Sequence, residues 1–161
     1  MEIWDLYDIS KNKTGETIQR GLPLPEDRFH LVVHCWIKNS KNEYLIQKRS
    51  NNVELNKGMW AFTGGSAFAG ETSEQAVIRE VREEIGYHIN PAELINIHNY
   101  FRKDHWVDVY LLKKDISIVE FEVGEEVETV KYVKRSDIEK MKKDGLFWNL
   151  DNEYLEKLFF H

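Results

Sequence analysis

A mixed α/β fold, with strands flanked by helices, is what this sequence predicts. Several short segments rich in β-branched and aromatic residues are separated by turn chemistry, as in a sheet built from hairpins. One segment, 73–85, instead carries apolar residues at helical spacing. The chain has 161 residues, 42% of them hydrophobic, which suits one ordinary domain with its own core. Positions 1–161 show no internal repeat, low-complexity stretch or linker, so they read as one unit.

Residues 1–28 hold the turn formers Gly15, Gly21, Pro23 and Pro25, and predict a short hairpin or an arm over the body. Residues 29–38 read as a strand, Asn39-Ser40-Lys41-Asn42 as a turn, and 43–49 as the returning strand. A loop over 50–58 leads to a short strand over 59–63. Beyond the helix, 95–101, 106–113 and 128–134 are further strands. Ser136 with Glu139 matches a capping box and starts a short helix, and Asn149 caps a final helix ending near Phe160.

The helix over 73–85 has signals at both ends. Thr72 caps it with Gln75 three residues on, Val77, Val81 and Ile85 form the apolar stripe with Ile78 beside them, and Gly86 stops it. At about 100° per residue, Glu80, Glu83 and Glu84 fall within an arc of roughly 100° beside that stripe. Arg79, Arg82 and Gln75 take the remaining side, and Glu71 lies in the loop before. Clustered carboxylates repel each other unless a cation sits between them, and an all-oxygen donor set suits Mg2+ or Mn2+. The plainer alternative is a solvated charged face supported by the Arg79–Glu83 i,i+4 pair.

The full spacing favours the first reading. Gly65, Glu71, Arg79, Glu80, Val81, Glu83, Glu84, Gly86 and Tyr87 resemble the signature box of the Nudix hydrolases, here over 65–87. Only Tyr87 departs, an aromatic where an aliphatic is usual, and tyrosine can fill a half-buried strand position. The resemblance implies an α/β/α sandwich with a mixed sheet and the hydrolysis of a diphosphate linked to another moiety, often a nucleoside. It implies Glu80 and Glu84 as the chief metal ligands and Glu83 as a further ligand, direct or through water. Glu71 would orient Arg79, and Arg79 would lock the carboxylates by charge-assisted bonds. Gly65 would allow close backbone approach and a carbonyl ligand. Glu126, in Glu125-Glu126-Val127 before a strand, matches the place where such enzymes supply an extra ligand or a general base, against the alternative of a solvated acidic loop.

EIWDLYD, Gly15, Arg20, RFHLVVHCWI and YLIQKRS look like the Nudix branch related to isopentenyl-diphosphate isomerase. That makes isomerisation a rival activity. Yet Gly64 stands where the isomerase's catalytic cysteine would be, and Ser66 where one of its metal-binding histidines would be. The intact box favours hydrolysis. A second alternative, from a different class, is a regulatory Nudix domain that binds a nucleotide without turning it over.

Other residues complete the expectations. Net charge −6 and the lack of a basic tract argue against a nucleic-acid polymer as partner. The substrate is expected to be a small-molecule diphosphate, handled by a monomer or homodimer. No apolar run is long enough to span a bilayer, and the start MEIWDLYDIS has no signal-peptide pattern. With one cysteine, Cys35, there is no internal disulfide, and the expected location is cytoplasmic. Cys35 reads as a core residue. His30 and His34, four apart on a strand, start about 13 Å from each other, too far for one metal, so both read as packing or substrate-lining residues, although His30 does match a metal-binding histidine of the isomerase branch. Arg49 is a candidate partner for phosphate, with Arg102 and Lys103 more plainly surface charges. Phe62, Phe101 and Trp106 are candidates for stacking a substrate, and Trp60 for core or pocket.

Overall fold

The computed structural model describes residues 1–148, 152–159 and 161. Its centre is a mixed sheet. Strand β3 (His30–Lys38) pairs in parallel with β8 (His105–Lys113), and β8 pairs antiparallel with β7 (Leu94–Arg102). On its other side β3 turns through 39–42 into β4 (Tyr44–Arg49). Lys38 lies opposite Tyr44 beside that turn; further along, β6 (Thr63–Ser66) takes up the edge of β3, while β5 (Trp60–Ala61) and β9 (Val127–Val133) take up β4.

The strands alternate in the way a sheet covered on both faces requires. From β3, Leu31, Val33, Cys35 and Ile37 enter one core, and Trp36 enters the other. The first core is closed by α1 (Ser73–Ile85), whose Ala76, Val77, Val81 and Ile85 are fully buried. Burying each of the larger three is worth about 1.5–3 kcal/mol. The second core is closed by α2 (Arg135–Lys143) through Ile138 and by α3 (Asn152–Phe159) through Tyr154 and Leu155. Helices on both faces of a mixed sheet make the α/β/α sandwich that the resemblance implied. No helix among the described residues is long and apolar enough to cross a membrane.

The first strands, β1 (Ile3–Tyr7) and β2 (Lys13–Gln19), form an antiparallel hairpin. It is tied to the body at several points. Tyr7 bridges Phe29, Lys11 pairs with the buried Asp108, and Gly70 donates to Asp5 at 2.8 Å. The arm expected over 1–28 is thus a docked hairpin.

Three local expectations need correction. The strand expected over 59–63 is two strands, β5 on β4 and β6 on β3, with the chain crossing at Phe62. Glycines are weak strand formers, so Gly64 and Gly65 gave no strand signal, yet Gly64 sits where a Cβ would collide with the Val33 carbonyl. Helix α2 starts two residues early: Lys134 is the cap, its N–H donates to Asp137 Oδ2 at 2.9 Å, and Ser136 is inside the helix. Tyr87 is half-buried as expected, beside Phe121, but lies in a loop rather than a strand. The expected cap Asn149 and end Phe160 of the last helix lie outside the described residues.

Candidate active site

Helix α1 forms over the expected residues for the expected reasons. Thr72 Oγ1 accepts from the Gln75 N–H at 3.1 Å, and Gln75 Oε1 accepts from the Thr72 N–H at 2.9 Å. Gly86 ends it with φ 67°, in the left-handed region that favours glycine. One face of this helix meets β6, and there the charged residues gather.

Arg79 is the hub. Its Nε and Nη2 donate to the two oxygens of Glu71 at 2.7 and 3.1 Å, a bidentate pair. Its Nη1 donates to Glu80 at 2.8 Å and to Glu83 at 3.1 Å, and Nη2 also reaches the Ser66 carbonyl at 3.0 Å. The guanidinium lies 3.6 Å from the centre of the Phe68 ring. The helical wheel put Arg79 away from the acids. Its long side chain instead folds back over them, which backbone angles alone do not reveal. Burial pulls the guanidinium's pKa down, but the bonds and charges of Glu71 and Glu80 outweigh it and hold the group above its ordinary range.

Glu84 is buried, 6% exposed. Gln47 Nε2 donates to its Oε2 at 2.7 Å, and the Gly64 N–H donates to the same oxygen at 3.1 Å. Gln47 is held in turn by Thr63, whose hydroxyl donates to Gln47 Oε1 at 2.7 Å. Among the described residues no hydrogen bond reaches Glu84 Oε1. Burial pushes the Glu84 carboxyl up to about 8; the charge of Glu80 adds to this, while the bonds from Gln47 and Gly64 oppose it. Glu80 rises to about 7, again first by burial, against the pull of Arg79 and with a push from Glu83 and Glu126. Gly65 has the close approach expected of it: a Cβ there would stand 2.5 Å from the Glu80 carboxylate. Two carboxyls both raised by burial, with one oxygen unbonded among the described residues, match a site for a hard cation.

These groups open into a cavity of about 520 Å³. Glu80, Glu83, Glu84, Arg79, Gly65 and Glu126 all line it. Glu126 is carried by the loop before β9, where its carbonyl accepts from the Ser50 N–H at 2.9 Å. Glu71 stands behind the cavity wall, where it also accepts from the Phe68 N–H at 2.8 Å.

The expected substrate residues divide. Arg49 lines the cavity, with its guanidinium 4.3 Å from the centre of the Trp148 ring and its Nε donating to the Leu55 carbonyl at 3.0 Å. Phe62 also lines it, from a stack on Trp36 at 3.7 Å. Phe101 and Trp106 do not line it. They are opposite each other in the β7–β8 hairpin, Phe101 packs edge-on against Phe29 at 4.8 Å, and Trp106 Nε1 donates to the Asp8 carbonyl at 3.0 Å. Trp60 packs in the second core beneath Lys131. Arg102 and Lys103 lie away from the cavity lining.

Both histidines line the cavity, as the lining reading expected. His34 Nδ1 is 2.8 Å from the Tyr154 hydroxyl, and burial lowers its pKa to about 3. Cys35 is buried in the core, with its thiol pushed up to about 12. Gln47, Phe68, Trp148 and Tyr154 were not anticipated as site residues. Only Gln47 carried a signal, a lone amide in the otherwise apolar start of its strand, 44–47.

Comparison with known proteins gives the family and the fold. Residues 28–155 match the NUDIX domain family. The Nudix hydrolase lmo0368 of Listeria monocytogenes is 34% identical over 161 residues, spanning 99% of this chain and 94% of its own. The isopentenyl-diphosphate Delta-isomerase of Corynebacterium diphtheriae is 31% identical over 98 residues, 60% of this chain and 52% of its own. The crystal structure of DR0079 from Deinococcus radiodurans superposes with a TM-score of 0.82 at 23% identity, covering 97% of this chain and 98% of that one, which shows a shared fold.

Proposed function

Because this chain belongs to the NUDIX family and is a Nudix hydrolase, we propose that it is a metal-dependent pyrophosphohydrolase acting on a nucleoside diphosphate linked to another moiety, by water attack at phosphorus. The observation that carries this reading is the pair of buried Glu84 and half-buried Glu80, framed by Gln47 and Arg79 and open to a cavity of about 520 Å³. That volume is within the usual range for a small-molecule site.

Glu80 and Glu84 would hold Mg2+ or Mn2+, with Glu83 and Gly65 at the margin. Bound there, such an ion would polarise phosphoryl oxygens and lower the pKa of a water. The chain's own residues do the rest. Arg79 fixes Glu80 and Glu71 in one plane of charge-assisted bonds, and Gln47 fixes the rotamer of Glu84. Glu126 completes the cluster as a further ligand or as the base that takes the water's proton. Arg49 receives a phosphate oxygen, and Phe62 with Trp148 provides apolar surface for the attached moiety.

Isomerisation is disfavoured by a specific observation. Gly64, aligned with the isomerase's cysteine, has no space for a side chain, because a Cβ would strike the Val33 carbonyl and the His34 ring. The test is metal-dependent phosphate or pyrophosphate release over nucleoside di- and triphosphates, dinucleotides, nucleotide sugars and isopentenyl diphosphate, with Glu84→Gln as control. Turnover that needs metal and is lost in the control is expected. Silence across the panel, with a nucleotide still raising the melting temperature, overturns it in favour of a binding domain.

A further inference from the structure

The same cavity holds a second group of donors that the carboxylate cluster does not use. His30, Asp104 and His105 line it, and one ligand atom from each lies within 4.8 Å of the other two. The sheet builds this arrangement. In the parallel pairing of β3 with β8, His30 is opposite His105, so the two rings stand side by side at 5.3 Å between centres. The tight β7–β8 turn, with Lys103 at φ 53°, brings in Asp104 immediately before His105.

The rings are held rather than free. Trp4 of the first hairpin stacks on His30 at 4.3 Å and 10° between planes. His30 Nδ1 is buried and has no hydrogen-bond partner among the described residues, a situation that costs about 1–3 kcal/mol and calls for a reason. His105 Nδ1 is 2.8 Å from Asp104 Oδ1. Two ligand atoms that close can share one ion.

We propose that His30, Asp104 and His105 form a second metal subsite in the cavity, for a borderline ion of the Zn2+ type. Two imidazoles and a carboxylate are the donors such ions favour, whereas Mg2+ prefers oxygen alone. Three protein ligands leave a coordination position open, and here it opens to the cavity, where it can take an anionic group of the bound ligand. Sequence spacing paired His30 with His34 and rightly found them too far apart; the partner comes from the neighbouring strand. The subsite stands apart from the proposed hydrolysis, since its donors are distinct from the glutamates.

The test is calorimetric titration of metal-free protein with Zn2+ in millimolar Mg2+, with Co2+ absorption as a second readout. The wild type, Glu80→Gln/Glu84→Gln, His105→Gln and Asp104→Asn are compared after circular dichroism has confirmed each fold. One equivalent of Zn2+ is expected in the wild type and in the glutamine double variant. Affinity should fall at least tenfold in His105→Gln, with loss of the Co2+ d–d band, and by less in Asp104→Asn. The proposal is overturned by no Zn2+ binding in the wild type, by unchanged binding in His105→Gln, or by loss of binding in the double variant. Failure of the hydrolase reading shows instead in the turnover panel, which this titration does not touch.

Discussion

Glu84→Gln gives the sharpest test of how the site is built. The carboxyl is buried and pushed up to about 8 from an ordinary 4.5. The native state therefore keeps a proton that the unfolded chain gives up above about pH 4.5. Stability is fully present below that pH and is lost as pH rises toward 8, by about 1.4 kcal/mol per pH unit between the two values. From pH 5 to pH 8 this one group should remove about 3 kcal/mol. The amide that replaces the carboxyl has no proton to lose, so the variant should gain that amount on the wild type over the same range. For a chain of this size that is a relative shift in melting temperature of roughly 6–12 °C. The assay is thermal unfolding in EDTA at intervals from pH 5 to pH 8. The difference between the two proteins matters, because Glu80, at about 7, contributes its own slope to both. Saturating Mg2+ should flatten the wild-type profile and leave the variant's unchanged. Parallel profiles for the two proteins in EDTA would refute the burial of Glu84 as the source of its shift.

Three other substitutions probe neighbouring parts. Gly65→Ala puts a Cβ 2.5 Å from the Glu80 carboxylate, so turnover should fall on the order of 10²-fold for a ligand displaced by about 1 Å, with circular dichroism unchanged; full activity would sink the packing argument. Arg79→Lys cannot reproduce the fork onto Glu71 with the bond to Ser66, and urea unfolding should show a loss of about 2 kcal/mol. His34, lowered to about 3 by burial, stays neutral while the unfolded chain protonates below about 6.5, so stability is lost as pH falls from there; His34→Gln should recover about 3 kcal/mol relative to the wild type between pH 7 and pH 4.5, and an unaltered acid limb would contradict it.

What could be read in the sequence was what is local. The cap, stripe and stop of α1 lie within fifteen positions, 72–86, and the structure reproduces them. Because that helix also carries Glu80, Glu83 and Glu84, the carboxylate cluster was legible with it. Much of the cavity's remaining wall was not, because it depends on which strands become neighbours. His30 meets His105 only through the parallel β3–β8 pairing, and Phe101 turns toward Phe29 only through the register of β7 on β8. An aromatic residue near a predicted pocket loop has no local mark of which face it will take.

The glutamine at position 47 shows how sequence and site are joined. An amide inside an apolar strand is a cost unless each of its groups is paired. Here Thr63 donates to its oxygen and its nitrogen donates to Glu84, so two polar side chains from separate strands are consumed in orienting one carboxylate. Arg79 does the same for Glu80 from the other side, with Glu71 and the Ser66 carbonyl as its anchors. Each chain of bonds offsets only part of the burial of its acid, and both carboxyls remain raised. The framework therefore fixes geometry while compensating the charge only in part. A protein built only for stability would place an apolar pair at these positions. Holding two acids in fixed rotamers with part of their repulsion unrelieved favours a cation, because its arrival removes the penalty that the bonds leave.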